Sequence, residues 1–362
     1  MRFYKLFLLT FLLMLGKSLW GITTPNAHGG GFLKYGDTYY WYGEFKGGRT
    51  SVAHTGVSCY SSKDLKSWRF EGIALPVDAN PESEIATGCI IERPKVIYNP
   101  TTRQFVMWFH LELKGKGYAA ARAGVAVSTS PTGPFRYLYS TRICAGKYPQ
   151  NADTMAMKSL RMQDYPKQWT REWQTAVEKG LFVERDMAGG QMSRDMTLYI
   201  DDDGKAYHIY SSEENMTLQI AEMTPDYLHH TGRYWRMMPG GQNEAPTIFK
   251  HEGTYWIITS GCTGWKPNAA RLFSAPIITG PWTFHGNPCR GEGAETTFGG
   301  QGTYILPIDG GKRFVFVADV WNPQSHHDGS YLFIPITFEN GMPVLRNDLK
   351  QVWNQQLHLP NP

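Results

Sequence analysis

Charge of one sign is scarce in this chain of 362 residues: 36 Lys and Arg stand against 32 Asp and Glu, a net charge of +4, and the basic residues are scattered. A nucleic-acid surface needs them clustered, so that class of partner is not expected. Cysteine is sparse too. The five (Cys59, Cys89, Cys144, Cys262, Cys289) are odd in number, widely spaced and without a C-x-x-C pair. Buried free thiols are expected, with one disulfide left open. The histidines show no zinc spacing, and no phosphate loop, dinucleotide fingerprint or serine elbow occurs. The one notable apolar run, Leu6 to Leu15 behind Arg2 and Lys5, is too short for a comfortable membrane span. With small residues near Ser18 and Gly21 it reads as a secretory signal, 1–21, cleaved near Gly21. No cysteine follows it, so a lipid or membrane anchor is not expected. The mature chain, 22–362, is expected to be a single exported domain, periplasmic or extracellular, and a monomer.

Aromatic residues are plentiful: 14%, with 12 Trp and 20 Tyr. Such a surplus suits sites for flat ligands such as sugar faces, and it equally suits β-strands; composition leaves both readings open. The order of the residues says more. An apolar strand, a tight polar turn and an aromatic strand recur as "FLKYGDTYYWYGE" (32–44), "VIYNPTTRQFVMWFH" (96–110), "LYIDDDGKAYHIYSS" (198–212), "IFKHEGTYWIITSG" (248–261) and "YILPIDGGKRFVFVAD" (304–319). Their turns carry the Gly, Asp, Asn or Pro that hairpins require. Most copies are followed by a second two-strand element, as in "VSCYSSKDLKSWRFEG". Four strands per repeat and five repeats predict an all-β fold, a five-bladed β-propeller. Residues 145–190 break the period with "PKQWTREWQTAVEKG", which predicts a helical insertion between blades 2 and 3. Pro166 marks its start, Gly180 its stop, and a face of Trp169, Trp173, Ala176 and Val177 is set to pack on the propeller.

Just before each inner strand stands a polar residue: His28, Glu92, Asp195, Glu244 and Gln301. Equivalent positions of a propeller converge on its axis, so these five should share one small volume. Clustered carboxyls raise one another's pKa, so folding alone does not favour them together, and they suit acid–base chemistry. Hydrolysis of a glycosidic bond needs that equipment, a protonated carboxyl for the leaving oxygen and a group to activate water. "DDDG" at 201–204 fills a hairpin-turn slot and lacks the other ligands of a calcium loop. No metal or cofactor is expected, and an ion in the central channel is left open.

At these residues the chain resembles glycoside hydrolase family 43. "AHGGGFLKYGDTYYWYGE", "ERPKVIYN", "SRDMTLYIDDDG", "EAPTIFKHEGTYWI", "SGCTGWKPN" and "ADVWNP" look most like its exo-β-1,3-galactanase and β-galactosidase branch. The resemblance implies an inverting, exo-acting enzyme that releases galactose from β-1,3-galactan, as in arabinogalactan. An α-L-arabinofuranosidase, a β-xylosidase and a non-catalytic sugar-binding propeller are the alternatives. It further implies Glu244 as general acid, Asp195 as the carboxylate that tunes it, and Glu92 as a second essential glutamate on the sugar. Glu44, Arg93, Tyr118, Thr263 and Trp265 match substrate-binding positions. Most of the family carry an aspartate base before blade one, where this chain has "NAHGG"; the galactan branch shares that lack, and Gln301 matches its glutamine near the attacking water. Water activation thus falls to Gln301 by motif or to Glu92 by basicity.

Overall fold

The computed structural model describes residues 25–46, 52–349 and 351–352. The signal pattern at 1–21 lies outside them, as does 353–362. The protein is an all-β propeller. Four-stranded antiparallel sheets form in chain order from β1 (His28–Tyr35), β2 (Thr38–Phe45), β3 (Gly56–Ser62) and β4 (Arg69–Pro76); β5 (Ile90–Asn99), β6 (Gln104–Glu112), β7 (Arg122–Ser128) and β8 (Arg136–Thr141); β9 (Met196–Ile200), β10 (Ala206–Ser212), β11 (Thr217–Met223) and β12 (His230–Met237); and β13 (Glu244–His251), β14 (Thr254–Ser260), β15 (Arg271–Ala275) and β16 (Thr283–Gly286). After β17 (Cys289–Arg290), a fifth such sheet is built from β18 (Gln301–Ile308), β19 (Arg313–Val320), β20 (Ser330–Pro335) and β23 (Gln351–Val352).

Among the described residues there are six sheets, not the five expected. The sixth has three strands, β17 with β22 (Met342–Arg346) and β21 (Thr337–Glu339). Its strands are too short to show alternation in sequence, and β17 pairs with β22 in parallel across a long separation.

Hairpin chemistry sets the turns. In "DDDG" the Gly204 N–H donates to Asp201 O at 2.9 Å and the Asp201 N–H to Lys205 O at 2.8 Å, with Gly204 at φ 82°. Apolar clusters fill the spaces between neighbouring sheets. One joins Tyr42, Val57 and Leu75 to Val96, Met107 and Phe109. Another joins Phe32 and Trp41 to Leu306, Val317 and Phe333, locking the first sheet against the fifth and closing the ring. The first strands of neighbouring sheets lie against one another around the channel.

Residues 145–190 hold three short helices, α1 (Thr154–Lys158), α2 (Arg171–Lys179) and α3 (Leu181–Arg185). Thr170, not Pro166, starts α2, its Oγ1 accepting from Trp173 N; Gly180 ends it at φ 112°, where only glycine is at ease. Trp173, Ala176 and Val177 are buried with Leu181, Phe182 and Met216. Trp169 is not part of that face: it is 55% exposed and only tilts onto Trp173 at 5.1 Å. All five cysteines are free, with Cys59, Cys89 and Cys289 buried. Among the described residues no helix is long and apolar enough to cross a membrane.

Candidate active site

Three of the polar residues stand at a repeated irregularity of pairing. His28 pairs with Glu44, but the next pair is Gly31 with Tyr42. Glu92 pairs with His110, then Lys95 with Trp108. Glu244 pairs with Ser260, then Thr247 with Ile258. Each of these three inner strands thus carries one extra residue, a β-bulge, which bends the strand and re-aims its side chains. The residue after each of these three is left-handed: Gly29 at φ 61°, Arg93 at 54° and Ala245 at 50°. For a non-glycine residue this costs roughly 1–2 kcal/mol, so the surrounding sheets must hold Arg93 and Ala245 there. At Gly29 a Cβ would lie 2.0 Å from Glu44 Oε1.

A cavity of about 280 Å³ opens above these bulges, lined by Glu44, Glu92, Arg93, Tyr118, Asp195, Glu244, Trp265 and Gln301 and also by His110, Arg194, Asn215, Trp321 and His326. Arg93, buried, organises its floor. Its Nη2 donates to Asp195 Oδ2 at 2.9 Å and to Gln301 Oε1 at 2.6 Å. Its backbone N–H donates to Glu44 Oε1 at 3.0 Å, and its guanidinium lies 5.4 Å from the Trp321 ring. Asp195 also accepts from Ala245 N at 3.1 Å, which couples it to the strand carrying Glu244.

The carboxyls are driven apart in acidity. Burial, then the negative charge of Asp195, pushes Glu244 up to about 7, against the smaller opposing effects of Arg93, the Cys262 thiol and Asn215. Asn215 Nδ2 donates to Glu244 Oε1 at 2.7 Å. Burial would raise Glu92 too, but Lys46, His110 and Tyr118 outweigh it and hold Glu92 well below the usual carboxylate range. Tyr118 OH donates to its Oε1 at 2.8 Å, Lys46 Nζ lies 3.6 Å from the same oxygen, and His110 Nδ1 lies 3.2 Å from Oε2. His110 itself is desolvated, yet Glu112 and Glu92 on its two sides push it up to about 9, so it is a cation at neutral pH. One carboxyl is held protonated near neutrality and its neighbour is held ionised, the division of labour that acid–base hydrolysis requires.

A larger cavity of about 870 Å³ opens where the inner strands end, lined by Phe32, Val96, Tyr98, Ile248, Tyr304 and their neighbours. Its wall is apolar strand residues, and its two carboxyls, Asp202 and Glu252, stand exposed in hairpin turns, with Asp202 paired to Lys250, so the smaller cavity is the candidate site.

Comparison with known proteins agrees with this geometry. The model of glycosyl hydrolases family 43 matches residues 167–342. A solved family 43 β-1,3-galactosidase, bound to galactodeoxynojirimycin, is 55% identical, with a TM-score of 0.87 over 89% of this chain and 94% of its own. The chain belongs to glycoside hydrolase family 43. An exo-β-1,3-galactanase from Clostridium thermocellum is 36% identical (TM-score 0.69, 88% of this chain and 61% of that one). Another from Phanerochaete chrysosporium, with β-1,3-galactotriose, is 30% identical (TM-score 0.70, 89% and 63%). No curated protein matches.

In this family 43 protein, eight of the nine residues to which the resemblance gave site roles line the cavity. Thr263 does not. It is exposed and ties its own loop together, donating to Lys266 O and accepting from Asn268 Nδ2 at 2.7 Å. His28, the blade-one member of the series, is buried behind the site, with Nδ1 3.1 Å from Asp319 Oδ1 and its ring stacked on Tyr331. The sequence reading missed His110, Lys46, Asn215 and Trp321. A signal for the first existed: the second strand of each repeat runs apolar to a polar end, at Glu44, His110, Ser260 and Asp319, and those residues pair with His28, Glu92, Glu244 and Gln301. Asn215 stands in a hairpin turn, where no periodicity marks it.

Proposed function

We propose that the protein is an inverting, exo-acting galactosidase that releases galactose from the non-reducing end of β-1,3-galactan, with arabinogalactan as its natural source. The observation that carries the reading is Glu244, held near pKa 7 beside Asp195 in a cavity of about 280 Å³. That volume is at the lower end for ligand pockets and suits one terminal sugar. The β-1,3-galactosidase with a bound galactose-like inhibitor, at 55% identity, supports the choice of sugar. The signal pattern supports export, and the helices of 145–190 are read as an insertion of the catalytic domain.

In this reading Glu244 gives its proton to the glycosidic oxygen as the C1–O bond breaks and the bonding pair leaves on that oxygen. Water adds to C1 from the opposite face, keeps one proton as the new hydroxyl and loses the other to solvent. Asp195 keeps Glu244 protonated, Arg93 fixes Asp195 and Gln301, and Glu92, locked as an anion, accepts hydrogen bonds from sugar hydroxyls. Tyr118 and Trp265, 45% and 50% exposed, form the rim against which the sugar face packs. Sugar release from β-1,3-galactan, compared with arabinan and xylan, tests the assignment; release from arabinan or xylan alone would overturn it.

Two further outcomes follow. Proton NMR of the first turnovers should show α-galactose from a β-linkage, and no mid-length oligomers early in digestion; initial β-galactose would refute inversion. Asp195→Asn should move the basic limb of the kcat/KM profile to lower pH. Removing the negative charge lowers the pKa of Glu244, and Arg93, released from its partner, lowers it further. A limb that stays in place would show that Asp195 does not tune the acid.

A further inference from the structure

Between β10 and β11 stand three successive left-handed residues, none of them glycine: Glu213, Glu214 and Asn215 at φ 53°, 55° and 63°. Such a turn persists only where its surroundings hold it. Here its first two residues are tied towards the helices, and Gln219 Nε2 of β11 also donates to Glu213 Oε1 at 3.0 Å. Glu213, fully buried, accepts from Arg236 Nε at 2.8 Å and Nη2 at 2.6 Å. Arg236 also donates to Val177 O at 2.8 Å and Glu178 O at 2.7 Å, carbonyls of the last turn of α2, the first of which also accepts from the cap Gly180 N at 2.9 Å. Glu214 accepts from Arg185 Nη1 of α3 and from Arg194 Nη2, both at 2.9 Å. Met216, which follows Asn215, is buried against Trp173, Val177 and Phe182.

The geometry points to Glu213 and Arg236 as positioning residues for proton donation: with the helices they fix the turn so that Asn215 occupies Oε1 of Glu244 and leaves Oε2 to carry the transferable proton. The carbonyl oxygen of a protonated carboxyl is the better acceptor, so an N–H on Oε1 settles which oxygen bears the hydrogen. The helical segment is then part of the catalytic apparatus, acting through an ion pair remote from the substrate. This rests on Glu244 being the proton donor. The other groups facing Glu244 are Asp195, Arg93 and the Cys262 thiol.

The test is Glu213→Gln, assayed on a β-1,3-galactosyl disaccharide and on a dinitrophenyl galactoside whose leaving group needs no proton. Activity on the disaccharide should fall by up to about 10²-fold, as a misplaced group can cost, while the aryl substrate stays near wild type. The basic limb should move to higher pH, because the lost N–H bond favoured the carboxylate. Combining the change with Asn215→Ala should be no worse than Asn215→Ala alone. Equal losses on both substrates with an unmoved limb, or additive losses, overturn the assignment. Should Glu213→Gln not fold, Glu214→Gln, at a side chain 39% exposed, must show the same substrate split in weaker form, and its absence is equally decisive against the idea. A wild-type protein that cleaves neither galactoside overturns the galactosidase reading itself.

Discussion

Glu244→Gln should lower turnover of a β-1,3-galactosyl disaccharide by roughly 10²–10⁴-fold, the usual contribution of a positioned general acid. The reason is the leaving group: a departing sugar alkoxide is strongly basic and must be protonated as the bond breaks, whereas a phenolate can leave unaided. An aryl galactoside should therefore lose far less. The amide keeps the shape and the acceptor for Asn215, so the comparison isolates the proton. The wild-type pH profile carries the same information. With Glu244 at about 7, the acid form prevails below neutrality, and kcat/KM should fall as pH rises through about 7. In Glu244→Gln that basic limb should vanish. Equal losses on both substrates would assign Glu244 to binding or folding instead.

How much of this was legible in the sequence follows from what repeats. The strand–turn–strand pattern is local and recurs, so the all-β propeller can be read directly, and equivalence of the repeats brings Glu92, Asp195, Glu244 and Gln301 to one point. What could not be read is whatever depends on non-repeating contacts. The sixth sheet is made of short strands joined across the chain. Trp169 matched the helical spacing, yet it precedes the cap Thr170 and so never joins the buried face. His28 occupied the right slot, but Asp319 and Tyr331 draw it behind the wall. Asn215 owes its place to a strained turn and to Arg236, neither of which has a sequence signature. The acidities are the least legible of all: residue type alone makes Glu92 the stronger base, and only the fold puts His110 and Lys46 beside it.

That last point bears on the attacking water, and the expected result is that Gln301→Ala abolishes turnover, by about 10²-fold or more, while sugar binding persists by calorimetry. Basicity alone would choose Glu92, but every strong donor around it stabilises its anion, and a carboxylate held far below its usual pKa is a poor proton acceptor. Gln301 is no better as a base. Its Oε1 accepts from Arg93 Nη2 at 2.6 Å and Trp321 Nε1 at 2.8 Å, and because both can only donate, the oxygen must face them. Its Nε2 donates to Ser260 Oγ at 3.0 Å, leaving one N–H to hold a water. Gln301 then acts by orientation: it presents the water's lone pair to an oxocarbenium-like C1, and the water's proton leaves late. Gln301→Glu should keep part of the activity, since a carboxylate is well placed to accept from Arg93 and Trp321. Azide, a nucleophile that needs no base, decides between the two residues. Rescue of Gln301→Ala with formation of α-galactosyl azide supports the water-holding role, whereas rescue of Glu92→Ala but not of Gln301→Ala would transfer that role to Glu92.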